Sequence, residues 1–195
     1  MEQGEGSERH RLFVAVPLPT GLRDVVRRAQ QALPPAPALR LLAPDQWHVT
    51  LVFIGEVGAG KTGSSARGVV EGLPPDGGGE AFLEGFLMLP SPSRARVVTL
   101  GLADPQGVFA AVFEAVMGGL ESAGVMQREK RPFRPHLTIA RLRTPGVVRP
   151  RYENERARFA VESVCLFESE LRREGAVYTV VSRRTFELGD GEERA

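Results

Sequence analysis

A single cysteine, Cys165, stands in the 195 residues, so no disulfide framework and no cysteine-built zinc site can form within this chain. It lies in the apolar run "VCLF" and reads as a buried structural thiol. No hydrophobic run approaches the roughly 20 residues of a membrane span. The polar, acid-bearing start "MEQGEGSERH" does not read as a cleavable signal peptide. These absences lead to the expectation of a cytoplasmic protein with no membrane partner. A monomer is the separate expectation for its assembly, on which these absences do not bear. Lysine is scarce as well: apart from Lys61 and Lys130 every basic residue is arginine. Histidine is scarce too, with only His10, His48 and His136.

What is present is an ordinary globular composition, 42% apolar and 25% charged, with a formal net charge of +1. The charge is uneven. Arg128 to Arg151 holds eight basic residues against Glu129, a net +7, which leaves −6 for the remainder. A basic segment on a near-neutral chain points to a phosphate-bearing partner or to a solvated arginine face.

Residues 1–10 and 189–195 read as loose polar tails around one unit, 11–188. Within it, "RLFVAVPL" is a strand. Leu22, Val25, Val26, Ala29 and Leu33 recur at helical spacing. "WHVTLVFI" is a strand and "TGSSARGVVEGL" a helix. "AFLEGFLML" and "RARVVTLGL" are strands around "PSPS". A helix then opens with Asp104 as N-cap and Pro105 at its first position. "HLTIARL" is a strand, Tyr152–Arg158 a short helix, and "ARFAVESVCLFES" and "AVYTVVSRRTFEL" a closing pair of strands. This order predicts an α+β protein with largely antiparallel sheets.

Two chemical readings compete over "HVTLVFIGEVGAGKTG". Gly55 to Thr62 matches the phosphate-loop pattern G-x-x-x-x-G-K-[ST]. That pattern requires a buried parallel strand before it and a helix N-terminus after it. The other reading starts at His48-Val49-Thr50-Leu51, which recurs 88 residues later as His136-Leu137-Thr138-Ile139. Residues i and i+2 of a strand share a face, so each copy presents an imidazole and a hydroxyl about 6.5–7 Å apart. Two such faces brought together suit metal-free cleavage of a phosphodiester. A neutral histidine takes a proton from the nucleophile and a charged one gives a proton to the leaving oxygen. Threonine hydroxyls donate to the non-bridging oxygens. Trp47 and Phe53, on the parity opposite His48, are expected in the core. A third reading is a non-catalytic RNA-binding module using the basic segment. A zinc hydrolase is disfavoured because no carboxylate stands at ligand spacing from the histidines.

The residues resemble the 2H phosphoesterases, and within them the LigT-like RNA 2′,3′-cyclic phosphodiesterases, also called 2′-5′ RNA ligases. The resemblance covers about residues 11–188. It rests on "RLFVAVPLP", "WHVTLVFIGEV", "FRPHLTIARL" and the closing "SELRREGAVYTVVSRRTFEL". It implies two pseudo-symmetric lobes, each with a mainly antiparallel sheet and helices outside, around a central cleft. It implies that His48 is the general acid and His136 the general base, with no cofactor or metal. Thr50, Thr138 and Arg141 would hold the phosphate. Phe133 and Arg134, just before His136, are candidate contacts to a base or phosphate of an RNA end, with a core role for Phe133 and a solvated one for Arg134 as the alternatives. Arg141 stands on the opposite strand parity from His136, so it needs a bulge or a strand end to reach the cleft. The implied partners are RNA ends carrying a 2′,3′-cyclic phosphate, including tRNA fragments, or small cyclic nucleotides.

Overall fold

The computed structural model describes residues 9–58, 60–128, 131–172 and 175–188. The tails expected at 1–10 and 189–195 therefore lie almost wholly outside the described residues. The strands are β1 (Arg9–Pro17), β2 (Leu39–Leu41), β3 (His48–Gly58), β4 (Gly79–Leu89), β5 (Ala95–Ala103), β6 (His136–Gly146), β7 (Ala157–Val161), β8 (Ser163–Arg172) and β9 (Gly175–Thr185). The helices are α1 (Arg23–Gln31), α2 (Lys61–Glu71) and α3 (Val108–Ser122).

The strands join in the order β7-β4-β5-β6-β3-β1-β8-β9, with β2 added beside β6, and the recorded pairings are antiparallel. The order divides at β6 and β3. There the ladder shrinks to one rung, Val49 opposite Leu137. Beyond it β2 takes the edge of β6, pairing Arg40 with Arg141 and Leu41 with Ala140. β3-β1-β8-β9 thus form lobe one, and β6-β5-β4-β7 with β2 form lobe two. The order β1-α1-β3 in the first half of the chain returns as β5-α3-β6 in the second. The halves exchange strands: β4 pairs with β5, and β8 pairs with β1.

The main core lies between the sheet and its helices. Val26 and Ala29 of α1, Ala66 and Val70 of α2, and Phe109, Val116 and Leu120 of α3 are buried there with Val49, Leu137 and Ile139. Because Val49 and Leu137 face this core, their neighbours in sequence face the other side of the sheet, away from the helices.

Three local expectations fail. α3 starts at Val108 and not at Pro105. Asp104 still caps it, but across a turn: its carboxylate accepts from the backbone N–H of Val108 (2.7 Å), Phe109 (2.9 Å) and Ala110 (3.3 Å). No helix forms at Tyr152–Arg158, a stretch with no apolar stripe to bury. Its side chains tie the segment down instead, the Tyr152 hydroxyl donating to the Arg28 carbonyl and Glu155 pairing with Arg28. "ARFAVESVCLFES" is two strands and not one. It breaks at Glu162, so that β7 pairs with β4 while β8 pairs with β1 and β9.

Candidate active site

The single rung between the lobes fixes the site. Continuing its antiparallel register by one residue each way sets His48 opposite Thr138 and Thr50 opposite His136. All four side chains are half-buried, on the face that Val49 and Leu137 turn away from. Directly opposed Cβ atoms stand about 4.5–5.5 Å apart and diagonal ones about 7–8 Å. His48 and His136 are a diagonal pair, a spacing into which a phosphate group fits.

Each imidazole is tied to the carbonyl two residues before it. His136 Nδ1 lies 2.8 Å from the Arg134 carbonyl oxygen, and the His48 ring hydrogen-bonds the backbone of Gln46. With Nδ1–H donating in this way, Nε2 of His136 is left toward the cleft. The surroundings of His48 are aromatic. Phe13 lies 4.9 Å from its ring, Tyr178 5.1 Å edge-on and Phe167 6.1 Å. Burial pushes its pKa from 6.5 down to about 4, against the opposing pull of the Gln46 backbone; the positive charges of Arg141 and His136 add to the lowering.

How Arg141 reaches the histidine face is visible in the ladders. Between β5 and β6, Val98 pairs with Ala140 and Thr99 with Thr138, which leaves Ile139 without a partner. This bulge makes Ile139 and Ala140 both face inward and turns the exposed Arg141 to the histidine face. It is held from behind. The Ile139 carbonyl accepts from the Leu42 N–H (2.9 Å) and from Gln30 Nε2 (2.9 Å), which also donates to the Leu42 carbonyl (2.8 Å).

Lobe one repeats the device. Val14 pairs with Val52 and Ala15 with Thr50, leaving Leu51 unpartnered three residues after His48, as Ile139 stands three after His136. Leu51 and Val52 are both buried, and Phe53 turns outward at 65% exposure, 5.9 Å from Phe13. The expectation that Phe53 is core is therefore wrong, because the bulge reverses its parity. Trp47, before the bulge, is buried as expected, its indole N–H donating to the Leu42 carbonyl at 3.2 Å.

Phe133 does not enter the cleft. It stacks on Phe113 of α3, centroids 4.3 Å apart and planes within 1°. The Arg134 side chain is exposed, and its recorded service to the site is its backbone carbonyl. Sequence reading missed Phe13, Phe167, Tyr178, Gln30 and the two carbonyls. A signal for the bulges was available, since strict alternation breaks at Leu51-Val52 and again at Ile139-Ala140. Among the described residues no three His, Cys, Asp or Glu side chains gather as a metal site.

The phosphate-loop reading does not survive the fold. β3 lies between β1 and β6 and is antiparallel to both, so the required parallel strand is missing. Gly55 holds φ +88° beside a second irregularity of the β1–β3 ladder, where Leu12 pairs with Gly55 and Phe13 with Phe53. Glycine serves a bulge there, not a nucleotide.

The chain is similar to proteins of known name. The RNA 2′,3′-cyclic phosphodiesterase of Methanothermobacter thermautotrophicus is 32% identical over 182 residues, covering 87% of this chain and 95% of that protein. The chain belongs to the LigT-like phosphoesterase family. The family description, LigT like Phosphoesterase, matches residues 104–178, which include His136 and Arg141. The Escherichia coli RNA 2′,3′-cyclic phosphodiesterase is 30% identical, covering 91% of this chain and 97% of that one. The crystal structure of E. coli LigT in apo form superposes with a TM-score of 0.78 at 26% identity, covering 93% of this chain and 100% of that one.

Proposed function

We propose that the protein opens the 2′,3′-cyclic phosphate at an RNA end, or on a small cyclic nucleotide, to a 2′-phosphomonoester, without a metal or cofactor. The observation that carries this reading is the pairing of two His-x-Thr faces across one rung. His136 takes a proton from water, the water oxygen bonds to phosphorus, the P–O3′ bond breaks, and His48 gives its proton to O3′. Thr50 and Thr138 donate to the non-bridging oxygens, and Arg141 neutralises their charge. Attack by a 5′-hydroxyl in place of water, with the same P–O3′ bond breaking and O3′ taking the proton, would make a 2′-5′ linkage in the same site.

Burial pushes the His48 pKa down to about 4, which favours the neutral imidazole at pH 7. A bound phosphate anion favours the imidazolium and opposes burial, Arg141 and His136. The acid is thus charged by the substrate it will protonate. The two lobes exchange strands, which supports 11–188 as one bilobal unit, and both histidines come from one chain, so a monomer suffices. No described helix is long and apolar enough to cross a membrane, and we place the reaction in the cytoplasm.

The test is incubation with a nucleoside 2′,3′-cyclic phosphate in EDTA, with products resolved as 2′- or 3′-phosphate. Wild type should yield the 2′-phosphate, and His48→Ala and His136→Ala should not. Turnover that needs added metal, or that survives loss of either histidine, defeats the reading.

A further inference from the structure

β8 and β9 run on past the rest of lobe one. The β1–β8 ladder goes from Ala15 with Cys165 to Arg11 with Ser169, so among the described residues Glu170 to Arg172 pair only with β9. A two-stranded ribbon is marginal on its own in water and needs an anchor. The ladder ends beside Glu56 of β3, at the opposite end of that strand from His48, which pairs with Pro17. Yet Gln46, two residues before His48, meets the ribbon: its side-chain amide donates to the Ala176 carbonyl at 2.7 Å. Tyr178, two residues further along β9, lies edge-on to the His48 ring at 5.1 Å. The ribbon therefore curls back over the histidine face.

We propose that Gln46 is a positioning residue for His48, acting through the ribbon that its side chain holds; the proposal rests on the reading above. The half-buried Gln46 amide is itself oriented, since its oxygen accepts from the Ala43 N–H at 3.3 Å, which turns the nitrogen to Ala176. The seat beside it requires glycine. Gly175, at φ +140°, leaves room for the Arg40 guanidinium; a methyl group there would overlap that guanidinium and stand 3.4 Å from Gln46 Nε2. One residue thus grips the acid twice. Its backbone bonds the imidazole, and its side chain keeps Tyr178 against the ring.

The ionisable groups that reach His48 are Arg141 and His136 of lobe two and the Tyr178 phenol of β9. Phe13 and Phe167 complete the wall from β1 and β8. Releasing the ribbon admits water to the imidazole and leaves both lobe-two charges in place. The His48 pKa then moves up from about 4 toward 6.5, because burial is the largest cause of its depression.

The experiment follows the His48 imidazole proton shifts through a pH titration in wild type, Gln46→Met, Gly175→Ala and Tyr178→Ala, and in Gln46→Met combined with Tyr178→Ala. Turnover of a nucleoside 2′,3′-cyclic phosphate is measured alongside. Gln46→Met keeps the length of the side chain and removes the donor; Gly175→Ala pushes the ribbon from its seat with Gln46 intact. Each should raise the His48 pKa by about one. Each should also lower kcat by about 10-fold and change KM by less than about 2-fold. In the Tyr178→Ala background, Gln46→Met should move the pKa no further. A merely structural Gln46 would lower the unfolding temperature and leave the His48 pKa unmoved, and that result overturns the proposal. So does a Gln46→Met shift that persists in full without Tyr178. Absence of turnover in wild type strikes the proposed activity, while the titration still decides the role of Gln46.

Discussion

In lobe one a bulge three residues after His48 turns Phe53 toward the cleft; in lobe two a bulge three residues after His136 turns Arg141 there. The backbone device is shared and the delivered chemistry is opposite. Around His48 stand Phe13, Phe167 and Tyr178, which strip water from the imidazole and hold it neutral. Beside His136 run the arginines of the basic segment. A duplicated backbone can thus be specialised without new folds, by changing what a bulge aims. Antiparallel register crosses the two functions over. Arg141 lies beyond Thr138, on the side of His48, and its charge is felt at His48. Phe53 lies beyond Thr50, on the side of His136.

The harshest way to break this comparison is to remove each lobe's imidazole. His48→Ala and His136→Ala should each lower kcat by about 10²–10⁴-fold, with the fold retained by circular dichroism. If one loss is severe and the other slight, the lobes are not acid and base partners.

A second test separates the lobes by stability. The folded pKa of His48, near 4, lies below its unfolded value of 6.5. Between these values the unfolded chain binds the extra proton, so stability rises with pH and falls as the solution is acidified. The contribution is fully present above about pH 6.5 and is lost as pH drops through about 4. It amounts to about 2–3 kcal/mol by pH 4.5. Urea unfolding at pH 7 and 4.5 should show wild type losing that much more than His48→Gln. Equal losses would mean that the aromatic wall does not hold His48 neutral.

Much of this was legible in the sequence, and what was not has a physical cause. Strand and helix positions followed from apolar spacing, and the repeated His-x-Thr marked, before any coordinates, the two imidazoles that β3 and β6 carry on one face. Bulges hide from a strict two-residue period: Phe53 was assigned to the core, and Arg141 was left on the wrong parity, for the same reason. β2, three residues long, carries too little pattern to register. Phe133 is a tertiary matter, since nothing near it in sequence announces Phe113 as its partner. The separation of β7 from β8 depends on one residue, Glu162, in an otherwise continuous apolar stretch.

Smaller effects sharpen the lobe-two side. Arg141→Ala should cost about 10- to 100-fold in kcat/KM, from loss of a charge-assisted hydrogen bond to phosphate worth about 1.5–3 kcal/mol. It should also raise the His48 pKa, because it removes one of the charges that lowers it. Imidazole proton shifts followed through a pH titration would register the change. Arg141→Lys should recover charge but not the forked contact, and so only part of the rate.

The smallest effect belongs to Phe53. Its ring is 65% exposed and touches the fold through Phe13, so Phe53→Ala should change stability by no more than about 0.5 kcal/mol. A core phenylalanine would cost about 3–5 kcal/mol, which makes thermal unfolding a clean discriminator between the bulged and unbulged strand. If the bulge aims the ring at bound nucleotide, the same variant should raise KM for a nucleoside 2′,3′-cyclic phosphate by about 5-fold, the lower end of a base–aromatic stack. A base-free analogue such as glycerol 1,2-cyclic phosphate should be turned over equally well by both proteins. Equal losses on both substrates would instead place Phe53 among the supports of His48, acting through Phe13, and the aromatic lobe would then be a scaffold for its histidine and not a surface for the base.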